Sequence, residues 1–119
     1  MFESCGKVNY RNNALVLDVN QDLGDYYSWF FKRETGLVLS KPLFGYHITI
    51  VSYKEKFIKM DLIKNEIKFS YKNTITVANS YVFIPVLDNE FFFEIRRKSQ
   101  LKPYVNSGKP FHLSLGRIL

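Results

Sequence analysis

The sequence predicts an α+β fold in which helices pack on a mainly antiparallel sheet. Short segments rich in β-branched residues recur along the chain, and two longer segments space their apolar residues as helices do. The chain has 119 residues, of which 46% are hydrophobic and 17% aromatic. This composition suits a domain with a substantial core, and the length is too short for two domains. We therefore expect residues 1–119 to form a single domain.

The first half of the chain predicts a strand, a helix and a second strand. Residues 14–19 (ALVLDV) are an apolar run of strand length, and residues 46–51 (YHITIV) are rich in β-branched side chains. Asp22 is the predicted N-cap of the helix between them, and Gly36 suits its C-terminal end. The apolar residues of this helix recur at helical spacing: Leu23, Tyr26, Tyr27, Phe30 and Phe31.

The second half predicts a short helix, two strands, a helix and a final strand. Residues 52–55 (SYKE) match a capping box, so we expect a helix from Ser52 toward Ile63, with Phe57, Ile58 and Leu62 facing inward. Strands are predicted at 66–72, 80–87 and 111–118, and Pro85 indicates an edge strand or a bulge. Asp88 is the predicted N-cap of a helix with Phe91, Phe92 and Ile95 on one face, and 102–110 is a loop.

Charge is distributed unevenly along the chain. The whole chain carries a net charge of +6, and its excess of lysine and arginine lies in residues 41–119, the part that contains both histidines. A positive field of this kind concentrates anionic ligands, so we expect a phosphate-bearing partner. Cys5 is the one cysteine; we expect an incidental thiol near a mobile terminus. No signal peptide or spanning segment is predicted, which favours a cytoplasmic monomer without a membrane partner.

The two histidines begin the same short pattern. Residues 47–50 read HITI and residues 112–115 read HLSL, so each histidine is followed two positions later by a hydroxyl residue. Side chains at i and i+2 of a strand point to one face. His47 and Thr49 are therefore expected to project together, as are His112 and Ser114. Gly116 continues the second face and predicts room for a ligand to approach closely.

An imidazole beside a hydroxyl, present twice, suits phosphodiester chemistry without a metal. Such chemistry needs a base for the attacking oxygen, an acid for the leaving oxygen and donors for the non-bridging oxygens. His47 and His112 can fill the two proton-transfer roles near neutral pH. Thr49 and Ser114 can donate to phosphate oxygens.

Other residues offer weaker indications. Two histidines and one distant cysteine provide no recognised metal-ligand spacing, so neither metal nor cofactor is expected. Tyr53 is the best candidate for stacking on a nucleobase, because it shares the parity of His47 if the strand continues that far. Phe44, Tyr46 and Tyr104 are further candidates. The parity of Arg117 sends its side chain away from His112.

The paired motifs resemble the H-x-[ST]-x motifs, with aliphatic x, of the 2H phosphoesterase superfamily. That group includes 2′-5′ RNA ligase-like proteins and cyclic phosphodiesterases. More narrowly, SKPLFGYHITIV and KPFHLSLG resemble small phage proteins described as Swiss-army-knife RNA repair-like. The similarity runs from about Val38 to the C-terminus. The motif distance is shorter than in the larger ligase-like members, and the second hydroxyl is Ser114 rather than the commoner threonine.

The resemblance implies a bilobal α+β fold with a central cleft and a metal-independent phosphodiesterase in RNA repair. His47 and His112 map onto the catalytic positions, and Thr49 and Ser114 onto the phosphate-binding ones. The implied substrates are RNA or nucleotides with a 2′,3′-cyclic phosphate or a 2′-5′ linkage. Three alternatives remain open. The first two are an enzyme of viral origin that degrades cyclic oligonucleotide immune messengers, and a nucleotide- or RNA-binding module without turnover. A third is that both motifs are simply packed strands.

Overall fold

An eight-stranded antiparallel sheet and two helices are formed by residues 2–56, 66–105 and 110–119, which the computed structural model describes. The strands and helices follow in this order: β1 Phe2–Arg11, β2 Ala14–Val19, α1 Gln21–Thr35, β3 Leu39–Ser40, β4 His47–Val51, β5 Glu66–Tyr71, β6 Thr76–Ala78, β7 Tyr81–Pro85, α2 Glu90–Lys98 and β8 His112–Ile118. The predicted class, helices with a mainly antiparallel sheet, is confirmed.

The sheet places the two histidine strands next to each other. Its order is β5-β1-β2-β4-β8-β7-β6, and β3 pairs with part of β8. A bridge between Tyr71 and Val86 joins the end of the outer strand β5 to the chain just after β7. The sheet therefore curls back on itself, and β4 and β8 lie in its middle.

Apolar residues from the sheet and from both helices share one core. Ile48 and Ile50 of β4 and Leu113 and Leu115 of β8 are fully buried. The helices add their own buried residues to the same cluster: Tyr27 and Phe31 from α1, and Phe92 and Ile95 from α2. Burial of this apolar surface is the main term that stabilises the fold, and it fixes the face that each strand turns away from solvent.

The predicted helices after Asp22 and Asp88 are confirmed, but both of these predicted N-caps are wrong by one or two residues. The side chain of Asn20 accepts a hydrogen bond from the amide of Asp22 at 2.9 Å, so Asn20 caps α1. Asn89 caps α2 by accepting from the amides of Phe91 and Phe92 at 2.9 and 3.3 Å. Asparagine competes with aspartate as an N-cap, so the choice between neighbours depends on where the chain turns. The predicted end of α1 at Gly36 is confirmed, with φ at 76°.

Helix α1 buries less of its aromatic stripe than its spacing predicts. Tyr26 and Phe30 are 55% and 39% exposed, whereas Tyr27 and Phe31 are buried. Gly24 explains which side of the helix faces the core, since a Cβ built at that position would lie 2.2 Å from the ring of Tyr46. The helix contacts the sheet along the line of Gly24 rather than along Tyr26.

Three strands were not predicted, and the longest of them is β1. Its residues mix polar and apolar side chains, and it pairs with β2 on one side and β5 on the other. Cys5 lies in this strand opposite Lys68, so the expectation of a mobile terminus around it is wrong. Asn12 and Asn13, with φ of 51° and 64°, join β1 to β2 in the left-handed conformations that a tight hairpin favours. The others, β3 and β6, are only two and three residues long.

The predictions for Pro85 and Ser52 are only partly matched. Strand β7 lies inside the sheet, so the edge position is wrong, and where its register with β8 shifts the extra residue is Leu115 of β8 rather than a residue of β7. Pro85 is the last residue of β7 and lies beyond Phe83, the last residue of β7 that pairs with β6. A residue without an amide hydrogen is therefore tolerated there. The prediction that a helix begins at Ser52 is wrong, since residues 52–56 form a turn, although Glu55 does accept from the amide of Ser52 as a capping box predicts. The rest of that predicted helix, to Ile63 with Phe57, Ile58 and Leu62, lies outside the described residues. Across the described ranges, no helix has the length and apolar character needed to cross a membrane.

Candidate active site

The four motif residues lie on one face of β4 and β8. Ile48 and Leu113 face each other across these strands and are both fully buried. Continuing that antiparallel register by one residue each way places His47 opposite Ser114 and Thr49 opposite His112, all four half-buried on the face away from the core. Residues that oppose each other in this way have Cβ atoms about 5 Å apart. The predicted parity is therefore confirmed.

A pocket of about 470 Å³ lies over this face. His47, Thr49 and His112 line it, while Ser114 lies beside them on the sheet and is not part of the described lining. The other described lining residues come from the β1–β2 hairpin, the segments around β4 and the approach to β8: Arg11, Asn12, Ala14, Val16, Phe44, Ser52, Tyr53, Val105, Pro110 and Phe111.

The backbone before β4 fixes the imidazole of His47. Its Nδ1 lies 2.9 Å from the carbonyl oxygen of Gly45. A carbonyl only accepts, so Nδ1 carries a proton and donates it, and Nε2 is the nitrogen that can exchange a proton with a ligand. Gly45 has φ at 84°, a conformation that favours glycine.

The side chain of Gln21 holds the segment that carries this carbonyl. Its Oε1 accepts from the amide of Tyr46 at 2.8 Å, and its Nε2 donates to the carbonyl of Tyr46 at 3.1 Å. A Cβ built on Gly45 would lie 2.5 Å from the same Oε1. The amide of Gln21 therefore satisfies both backbone groups of Tyr46, as a paired strand would, and this fixes the position of Gly45 relative to His47.

His112 is positioned by packing against β7. Its ring lies 5.2 Å from that of Phe83, at an interplanar angle of 58°. In the register of β7 and β8 it pairs with Pro85, and the residue before it, Phe111, is buried among aromatic side chains of α2. These contacts on both sides restrict the imidazole to the pocket face.

Arg11 is the pocket residue that sequence reasoning missed. It ends β1, and its Nη2 donates to Asp18 Oδ2 at 2.5 Å while its Nη1 donates to the carbonyl of Phe44 at 3.4 Å. Asp18 sits opposite His47 in the register of β2 and β4. Among the described lining residues Arg11 is the one lysine or arginine, and it comes from outside the basic part of the chain, residues 41–119.

The structure sorts the aromatic candidates into two groups. Tyr53 and Phe44 line the pocket and are 67% and 53% exposed. Strand parity is not the reason for Tyr53, because β4 ends at Val51 and Tyr53 lies in the following turn. Tyr46 is buried under α1 and donates to Asp25. Tyr104 packs against Phe93 and Phe111 and donates to Asp88 at 2.8 Å, away from the pocket.

Gly116 does not leave room for a ligand, so that prediction is wrong. A Cβ built on it would lie 1.9 Å from the carbonyl oxygen of Ser40, because β3 crosses at this point. The close approach is between two strands of the sheet, which is a structural use of glycine. The prediction that the parity of Arg117 turns it away from the face of His112 is wrong, because Leu115 is an extra residue in β8. Arg117 pairs with Tyr81 as Ser114 pairs with Phe83, which puts both on one face, and its guanidinium lies 4.9 Å from the centre of the Tyr81 ring.

A buried arginine holds two walls of the pocket together. Arg96 of α2 is fully buried, and it donates to the carbonyls of Ile50, Lys102 and Tyr104 as well as to both carboxylate oxygens of Glu55. Glu55 also accepts from the amide of Ser52 at 3.0 Å. Burial alone raises the pKa of Glu55, but the hydrogen bonds from Arg96 and Ser52 outweigh it and leave the pKa lowered. The turn after β4 and the chain before Val105 are both tied to this guanidinium.

Comparisons with protein-family models, curated proteins and solved structures gave no match for the chain. Within residues 2–56, 66–105 and 110–119, no three histidine, cysteine, aspartate or glutamate side chains come together in a way that could hold a metal ion. Function is therefore inferred from the motifs and from the pocket that contains them.

Proposed function

We propose that this protein is a metal-independent phosphodiesterase of the 2H type. It hydrolyses a 2′,3′-cyclic phosphate or a 2′-5′ linkage at the end of a nucleotide or RNA. The observation that carries the proposal is that His47 and His112, 65 positions apart in the chain, line one pocket from two adjacent strands. The adjacency of β4 and β8 also supports the fold that the motifs suggest, with the two motif strands lining a cleft.

The proposed reaction uses one histidine as base and the other as acid. The base takes a proton from water, or from the neighbouring 3′-hydroxyl when the linkage is 2′-5′, as that oxygen attacks phosphorus. The bond from phosphorus to a ribose oxygen breaks, and the acid gives that oxygen a proton. Nε2 of His47 serves either role, since it has a lone pair in the neutral ring and a proton in the cation. Polarity of the bound substrate decides which histidine is which.

The remaining site residues stabilise charge on the phosphate. The Thr49 hydroxyl stands in the register position opposite His112, and Ser114 stands opposite His47, so each imidazole has a hydroxyl across the strands. Donors placed around the non-bridging oxygens stabilise the charge that builds up there in the transition state. The guanidinium of Arg11 adds charged hydrogen-bond donors, and its ion pair with Asp18 holds it in place.

The test is an assay in EDTA with a panel of phosphodiesters. We expect turnover of nucleoside 2′,3′-cyclic phosphates, 2′-5′-linked oligonucleotides or both, at a rate that EDTA does not reduce. Cyclic di- and trinucleotides in the same panel test the messenger-degrading alternative, and cleavage confined to them would replace the proposed substrate. A stable complex of intact ligand, with an affinity that survives His47→Ala, would instead identify a binding module.

Removing the pocket arginine is expected to weaken substrate binding. Arg11→Ala should raise KM about tenfold or more, because a hydrogen bond to a charged group contributes roughly 1.5–3 kcal/mol. The slope of log affinity against log salt should fall by about 0.7 for each phosphate of a single strand that the guanidinium neutralises. Steady-state kinetics and binding isotherms at several salt concentrations measure both effects.

Two variants separate the role of the guanidinium from other consequences of the change. Arg11→Ala leaves Asp18 uncompensated beside His47, whereas Arg11→Ala with Asp18→Asn keeps the pair neutral and isolates the effect of the guanidinium. Arg33→Ala is the matched control, since Arg33 lies over Trp29 at 5.5 Å as Arg11 lies over Phe44 at 5.9 Å. An unchanged KM in the double variant would remove Arg11 from the binding site.

A further inference from the structure

The pocket continues past Tyr53 into a second depression. This depression has a volume of about 590 Å³ and shares Arg11, Asn12 and Tyr53 with the first pocket. Its other lining residues are Tyr10, Asn13, Glu55 and Lys56. Three residues therefore form a common border, and a ligand that fills the first pocket can extend directly into the second.

The second depression has the chemistry of a site for a nucleotide. Tyr53 lies on the border and its side chain is well exposed, with the ammonium of Lys54 5.7 Å from the ring centre. A ring that lies open beside cations suits base stacking next to a phosphate. Lys56 adds a cation, and Asn12 and Asn13 add amides that can donate or accept.

The one acidic residue of the described lining does not oppose an anion there. Both carboxylate oxygens of Glu55 are bound by Arg96, which is itself fully buried. This ion pair cancels the charge of Glu55 and also holds the turn that carries Tyr53. Arg11 is paired with Asp18 in the same way, so the positive balance of the described lining comes from Lys56, beside a fixed aromatic wall.

We propose that the second depression binds the nucleotide adjoining the one whose phosphate lies between the histidines. The inference rests on the proposed function, and it makes the substrate an oligoribonucleotide of at least two residues rather than a mononucleotide. Tyr53 stacks on the base of that neighbouring nucleotide, and Lys56 faces its phosphate.

Binding of product-like ligands tests the proposal without requiring turnover. Ribonucleoside 3′-phosphate and a trinucleotide with the same 3′-phosphate end are titrated into the wild-type protein by calorimetry. We expect the trinucleotide to bind at least tenfold more tightly. Tyr53→Ala should reduce that preference at least fivefold, the lower end of the cost of removing a stacking aromatic, and Tyr53→Phe should retain it. Lys56→Ala should lower the salt slope of trinucleotide binding by about 0.7.

Controls and substrates distinguish the two levels of the hypothesis. Tyr81→Ala and Lys32→Ala remove an exposed tyrosine and an exposed lysine from elsewhere on the molecule and should leave the preference unchanged. Equal affinity for the two ligands, or a preference that Tyr53→Ala does not reduce, would overturn the second subsite. Absence of turnover for every phosphodiester would overturn the proposed function, and the binding comparison would still decide whether the second subsite exists.

Discussion

Replacing either His47 or His112 by alanine is expected to lower kcat for a phosphodiester substrate by about 10²-fold or more. General acid–base catalysis by a positioned side chain contributes roughly 10² to 10⁴ in rate. The pH profile of kcat/KM should be bell-shaped for the wild type, and each variant should lose one limb. Because the two groups act in one proton-transfer cycle, the double variant should be little worse than either single variant.

His47→Asn is the matched control for this prediction. The asparagine amide can donate to the carbonyl of Gly45 as Nδ1 of His47 does, but it offers no nitrogen that titrates near neutral pH. The variant should fold with an unchanged melting temperature and be as slow as His47→Ala. Near-full activity in any variant of His47 or His112 would exclude a two-histidine mechanism.

Replacing Arg96 by alanine is expected to destabilise the protein by about 3–5 kcal/mol, the cost of breaking a buried ion pair by removing one partner. The change leaves the carboxylate of Glu55 without its cation and removes the hydrogen-bond donor of three backbone carbonyls, those of Ile50, Lys102 and Tyr104. A domain of this size is stable by roughly 5–15 kcal/mol, so a large part of the folding free energy is at stake. Urea unfolding followed by circular dichroism measures the loss.

The neighbouring arginine supplies the control. Arg97 carries the same charge on the same helix and pairs with Glu90 and Glu94, but its side chain is 60% exposed. Arg97→Ala should cost less than about 1 kcal/mol, as exposed pairs do. Arg96→Lys, which keeps the charge and loses the planar fork, should be intermediate between wild type and Arg96→Ala. Equal costs for Arg96→Ala and Arg97→Ala would show that Arg96 is not the link between the walls.

The fold could be predicted where burial imposes a clear period on the sequence. Strands β2, β4, β5, β7 and β8 and both helices stand out because apolar residues mark the side that packs on the core. Strand β1 does not, since it is held by pairing on two sides while its residues mix glutamate, serine, cysteine and lysine with apolar ones. The asparagine pair at 12 and 13 was the available signal, because tight hairpin turns favour asparagine in the left-handed region.

The candidate site was predictable only within each strand. Alternation placed His47 with Thr49 and His112 with Ser114, and adjacency of β4 and β8 then brought the pairs together. Arg11 could not be predicted from local pattern, because its place in the pocket depends on the unpredicted hairpin. The prediction that Gly116 leaves room for a ligand was wrong for a similar reason, since the two-residue strand β3 that fills this space has no sequence signature.

The irregularity at the end of β4 separates two parts of the molecule that are neighbours in sequence. Leu15 pairs with Val51 and Val16 with Thr49, so Ile50 is an extra residue in this strand, and both Ile50 and Val51 are buried. The alternation of faces that directs His47 and Thr49 into the pocket ends at Ile50, and the turn after Val51 does not continue it. An engineer could therefore exchange Tyr53, Lys54 or Lys56, with Glu55 kept as the partner of Arg96, to alter which ligands the rim accommodates without re-aiming the imidazole of His47.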